Sequence, residues 1–188
     1  VSATNTDNDT AGIVVTPASG LVTSEVGGSR ATFTVVLTAT PAADVTVGLS
    51  SSDTTEGTVS PAALVFTPAN ALVPQTVTVT GVNDNVVDGP IAYTIVTAPA
   101  ASAGPNYNGM DAADVSVTNN DDDTAGIKVS PTSGLITTEG GKTATFTVGL
   151  ATTPLADVTI ALSSSDPTEG TASPASLTFT PSNALVPQ

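Results

Sequence analysis

The octapeptide TDNDTAGI at 6–13 returns as NDDDTAGI at 120–127, and most of the sequence after the first copy returns after the second. Laying 7–75 over 121–188 takes one single-residue gap near Val26 and leaves roughly seven positions in ten identical, at a period of about 113 residues. That period confines the fold. Each unit must close a core within about 110 residues, which is long enough to do so, and whatever chemistry one unit carries should appear twice. The 188 residues hold one full unit and part of another.

Within the full unit, short alternating runs rich in β-branched residues recur between turn clusters, and no stretch has helical periodicity. The runs are GIVVTP (12–17), ATFTVVLTA (31–39), DVTVGLSSS (44–52), AALVFTP (62–68), QTVTVTGV (75–82), IAYTIVT (91–97) and DVSVTN (114–119). Thr on one face and Phe or Val on the other is the pattern of antiparallel sheets with one wet side. The expected fold is all-β: tandem immunoglobulin-like Greek-key β-sandwiches, about seven strands per complete unit.

The repeat also sets the boundaries. VSATNTDNDT at Val1 matches VSVTNNDDDT at Val115, so residues 1–10 read as the closing strand and acidic tail of a preceding unit. Residues 11–123 form the complete sandwich, and 124–188 the first part of a second, truncated one. Counterparts of 76–120 are not found after Gln188, so a window of a longer array is expected. Between the units there is hardly any linker, because Asp121–Thr124 lead straight into the next first strand. Sandwiches joined this closely do not tumble as they would on a Gly/Ser tether.

Charge excludes several functions. Lys and Arg total 3 against 17 Asp and Glu, a formal net charge of -14, which disfavours nucleic acid and anionic membranes as partners. No apolar run is long enough to span a bilayer, and no direct membrane insertion is expected. With Cys 0 and His 0 there is no thiolate nucleophile and no imidazole base, so a catalytic role is not expected. Phe33, Phe66 and Tyr93 fall at core positions of strands. Only Tyr107, in a loop, looks available for stacking a sugar.

The acids follow the strand layout. Glu25 precedes the second run, Asp53 and Glu56 follow the third, Asp84 and Asp88 separate the fifth from the sixth, and Asp121, Asp122 and Asp123 follow the seventh. In a Greek-key sandwich these loops gather at one end, provided the first two strands are joined there. Taken singly, an Asp in a loop is first a turn former and an acidic triplet first a solvated run. Convergence of four loops, and recurrence of Glu25 as Glu139 and of Asp53 as Asp166, favour a site instead. Asp44, Asp157, Asp111 and Asp114 are read as strand-edge charges. Hard oxygen ligands in loops, with so few basic residues to pair them, suit Ca²⁺ rather than Mg²⁺.

The segment VSVTNNDDDTAGI, with TVTVTGVNDNVVDG and the Glu of TSEVGG, resembles the Calx-beta repeat found in calcium sensors of sodium/calcium exchangers, in integrin β4 and in bacterial surface proteins. The resemblance implies calcium ligands at Glu25, Asp53, Asp84, Asp88 and Asp121 to Asp123, and at Glu139 and Asp166 in the second copy. It implies that the leading TDND closes the site of a preceding unit. The loop at 83–91 is less acidic than in calcium-sensing members, which implies fewer ions or weaker binding. The expected function is a non-catalytic, calcium-rigidified spacer, stalk or filament module of an extracellular or cell-surface bacterial protein, with neighbouring repeats as partners and self-assembly into fibres. The alternative is an adhesion module for polysaccharide or protein, its acidic loops being solvated turns.

Overall fold

The computed structural model describes every residue except 5 and 7. It divides into two compact units: Val1–Asp84 with Gly89–Asp121, and Asn85–Asp88 with Asp122–Gln188.

The first unit is a β-sandwich. Its strands are β1 (Ile13–Thr16), β2 (Leu21–Ser24), β3 (Arg30–Leu37), β4 (Val45–Ser51), β5 (Gly57–Ser60), β6 (Ala63–Phe66), β7 (Gln75–Gly81), β8 (Ile91–Thr97), β9 (Ala101–Ser102) and β10 (Val115–Asn120). One sheet has the order β1-β3-β7-β5, and the other β2-β10-β8-β4-β6 with β9 added on β4. From β1 to β8 every connection crosses from one sheet to the other. Each crossing obliges both inner faces to be apolar, and the alternation supplies this. Phe33, Val35 and Leu37 of β3 and Val77 and Val79 of β7 face Val45 and Val47 of β4, Ile95 of β8 and Val115 and Val117 of β10 in one buried core. Thr32, Thr34, Thr76, Thr78 and Thr80 occupy the alternate positions, none of them buried.

The all-β sandwich expected from the runs is what forms, with three further strands. β2 and β5 have 4 residues each and β9 has 2, and their segments LVTS, GTVS and AS are small and polar beside the Val-rich or Phe-bearing runs of β1 and β6. β1 and β2, and likewise β5 and β6, are successive stretches of chain that switch sheets, at 17–20 and 61–62. Only the sheet across the core separates them.

All pairings in the first unit are antiparallel except one: β2 runs parallel to β10, with Leu21 opposite Val117, Thr23 opposite Asn119 and Ser24 opposite Asn120. Since β10 and β4 are each antiparallel to β8, strands β2, β4 and β10 all point toward the same end.

The second unit contains β11 (Ile127–Ser130) paired with β12 (Thr147–Leu150), and β13 (Val158–Ala161) paired with β14 (Ser176–Phe179). These are the repeat counterparts of β1, β3, β4 and β6. Phe179, like Phe66, is fully buried, whereas Phe146 is 38% exposed where its counterpart Phe33 is 1% exposed. The segment 85–88 contributes a parallel bridge, Val86 with Thr153, and Thr153 N–H donates to the Asn85 carbonyl at 2.6 Å. Among the described residues no helix is long and apolar enough to cross a membrane.

Candidate metal centre

Alternation carries polar residues onto the inner face as the strands reach the acidic end. On β10 the inward series is Val115, Val117, Asn119, and on β2 it is Leu21, Thr23. Continuing by two places gives Asp121 on one strand and Glu25 on the other. The parallel register that sets Thr23 opposite Asn119 thus directs Glu25 toward Asp121, and the Glu25 N–H donates to the Asn120 carbonyl at 3.1 Å. One oxygen each of Glu25, Asp121 and Asp123 lie within 4.8 Å of one another. Asp122, at the alternate position, is exposed and outside this group.

A second group joins Glu56, Asp84 and Asp88, with the same 4.8 Å limit. Glu56 belongs to the β4–β5 turn, and the other two to the β7–β8 loop. The Gly89 N–H donates to Asp121 Oδ2 at 2.8 Å, which ties that loop to the acid after β10. Glu25 is 2% exposed and Glu56 5%. The donors are all carboxylate oxygens, with no soft ligand among them, and the chain's only basic residues are Arg30, Lys128 and Lys142. Such a set fits a hard divalent cation of calcium type.

The remaining expected ligands are placed otherwise. Asp53 lies outside both groups, in a turn that uses its carboxylate: Oδ1 accepts from Thr55 N at 3.0 Å and from Thr55 Oγ1 at 2.6 Å. These bonds hold its carboxyl below the usual value of 3.8, the hydroxyl contributing most. Asp166 repeats the arrangement with Thr168, at 3.0 and 2.6 Å. Glu139 is exposed and joins no such group among the described residues. Asp7 lies outside the described residues. Asp114, read as an edge charge, accepts from Thr97 N at 2.8 Å and Thr97 Oγ1 at 3.2 Å.

In the sequence Glu56 recurs as Glu169 in a TEG turn and is a possible ligand, whereas the family resemblance points to Asp53 instead. What decides between them is tertiary. Asn119 reaches across to Glu56, Nδ2 donating to Oε2 at 3.3 Å and to the Val82 carbonyl at 3.0 Å. The backbone admits this close approach because both neighbours are glycine. A Cβ on Gly81 would sit 2.6 Å from Asn119 Oδ1 and from the Ser24 carbonyl, and one on Gly57 would overlap the Tyr93 hydroxyl.

Tyr107 corrects an expectation. It is 2% exposed, donates from its hydroxyl to the Ala39 carbonyl at 2.7 Å and accepts from Ala39 N at 3.1 Å. Its loop folds back onto the sandwich because the ring finds apolar cover there while the hydroxyl is satisfied by backbone. Tyr107 is therefore a core residue and no sugar platform.

The fold and the acids together define a class, an all-β sandwich with two carboxylate groups formed by the loops of one end. A scan against protein-family models and a search of curated proteins both return no match. Among solved structures the chain is similar to the apo form of the Calx CBD1 domain, at 17% identity and a TM-score of 0.45 over 59% of this chain and 96% of that one. It is also similar to CBD12 from CALX1.2, at 16% identity and 0.46 over 89% and 70%. Domains 1–6 of the surface layer protein SbsC match at 16% identity and 0.35, over 85% and 19%. Likeness at this level says nothing of ligands, and the sandwich stands on its own strand pairing.

Proposed function

We propose that this chain is a non-catalytic, calcium-binding structural repeat of Calx-beta type. It serves as a calcium-rigidified spacer, stalk or filament module of a bacterial cell-surface or secreted protein. One observation carries the reading: two groups of three carboxylates, each including a buried Glu, close to within 4.8 Å in a chain of net charge -14. Glu25, Asp121 and Asp123 hold one ion, and Glu56, Asp84 and Asp88 another. Backbone carbonyls of the 82–90 loop, such as that of Val86, complete coordination, since calcium takes six to eight oxygens. The bound cation supplies the positive charge that relieves repulsion among acids folded against one another.

The mechanical consequence comes from the order of the sequence. The acidic run directly precedes the next repeat, so ions that order it stiffen the succession of repeats, and side-by-side packing of such repeats would build a fibre. Its charge keeps the chain off nucleic acid and anionic membranes. The adhesion alternative has lost its aromatic candidate with the burial of Tyr107.

Calorimetric melting in calcium and in chelator tests the proposal. Binding to the folded state alone adds about 2.7 kcal/mol at a hundredfold excess over Kd, which for a domain of this size raises the melting temperature by roughly 10 °C. Identical melting curves, together with no heat of calcium binding, would sink it.

A further inference from the structure

The buried polar chain beneath the second carboxylate group has a direction. Thr23 Oγ1 donates to Asn119 Oδ1 at 2.9 Å and lies 3.2 Å from the Tyr93 hydroxyl. A threonine has one proton to give. With that proton on Asn119, the Tyr93 hydroxyl donates to Thr23, and the order runs Tyr93 to Thr23 to Asn119 to Glu56. The Asn119 amide is fully used: its oxygen accepts from Thr23, and its nitrogen donates to the Val82 carbonyl and to Glu56 Oε2. Thr23 is 0% exposed, Asn119 1% and Glu56 5%, so water does not substitute for any of these bonds. Burial, with the Glu56 charge adding to it, pushes the Tyr93 phenol up against the opposing effect of its Thr23 bond, so the phenol keeps its proton at neutral pH.

From this geometry we infer that Asn119 is a positioning residue for calcium. Its amide fixes the rotamer of Glu56 in the group with Asp84 and Asp88, and Thr23 fixes which way the amide faces. The inference deepens the calcium reading and rests on it. It adds a specific consequence, that the buried residues Thr23 and Asn119, which offer no carboxylate, control the Glu56 group and leave the Glu25 group's acids in place. The repeat carries the same residues, with Thr137 for Thr23, Glu169 for Glu56 and Asn5 for Asn119 in the preceding tail. A flipped amide would turn its oxygen toward Glu56 and cancel the effect.

A double-mutant cycle on the 188-residue chain tests this, with calcium titrated calorimetrically into wild type, Asn119→Leu, Glu56→Gln and the double variant. Asn119→Leu is expected to weaken one class of site about tenfold or more, the usual cost of losing a residue that orients a ligand. In the Glu56→Gln background the same change should cost nothing further, because Asn119 acts through Glu56. Equal losses in both backgrounds mean a merely structural role and overturn the inference. If Asn119→Leu no longer melts cooperatively, Thr23→Val, close in shape, takes its place, with weakening of the same site class expected; unchanged affinity overturns the inference. Wild type that binds no calcium overturns both this and the proposed function. Calcium binding indifferent to Glu56→Gln overturns this inference, and with it the second ion, while leaving the ion at Glu25, Asp121 and Asp123.

Discussion

Gly57 shows how narrowly single positions are set at the acidic end. Its missing side chain is the space filled by the Tyr93 hydroxyl. Gly57→Ala should destabilise the first unit by about 1–3 kcal/mol, the usual cost of overpacking, which urea denaturation followed by circular dichroism would measure. Glu25 answers to electrostatics instead. Glu25→Gln keeps the shape and removes one of three converging charges. In chelator its melting temperature should equal or exceed that of wild type, while its rise with calcium shrinks. A variant that keeps the full calcium response would remove Glu25 from the site.

Asp53 makes the pH prediction at the same scale. Thr55 lowers its folded-state pKa below 3.8, so the unfolded chain binds the proton more readily. The stabilisation is therefore complete above the ordinary value and is lost as pH falls through the lowered one. Acid melts of wild type and Asp53→Asn should converge as pH drops below that range and differ most near neutrality. A stability gap between them that is constant with pH would contradict the Asx-turn account.

At the scale of elements, β2 decides the site. It has 4 residues, and its parallel pairing with β10 places Glu25 against the Asn120 carbonyl. Leu21 anchors it in the core at 6% exposure. Leu21→Ala should cost about 2–4 kcal/mol by leaving a cavity, and should weaken calcium binding by loosening Glu25, although no ligand is altered. Denaturation and calcium titration of one preparation test both effects, and a destabilised variant with wild-type affinity would show that β2 does not hold the site. The short strand was not legible in the sequence, because LVTS between two turn signals is small and polar beside the Val-rich run of β1. The long strands β3, β4, β7 and β8 were legible, because their inward positions are uniformly apolar.

For the molecule as a whole, the second repeat has counterparts of residues 7–75 alone among these 188 residues, so its strands have no equivalents of β7, β8 and β10 to pack against. Phe33 is buried between two sheets, while Phe146 keeps 38% of its surface exposed. The counterpart of β2, 135–138, forms no strand. Hydrogen exchange should therefore be slowest in β3, β4, β7, β8 and β10 and fast across 135–146. Equal protection of the two repeats would show that the second closes as the first does. A strand is stabilised by the sheet it joins and the face it covers.

The sequence by itself determined the unit, its period, its alternating faces and the excess of carboxylate over cation. All of these are local or compositional, and period-2 alternation is a property of the strand alone. Only the tertiary structure decided which acids lie close to one another. It sorted the acids, grouping Asp121 and Asp123 with Glu25, grouping Glu56 with Asp84 and Asp88, and leaving Asp53 in its own turn. Asp53 and Glu56 are three places apart in one loop, and their fates differ because Asn119, 63 residues from Glu56, reaches only the latter. That contact depends on strand register across the core, which no local pattern encodes.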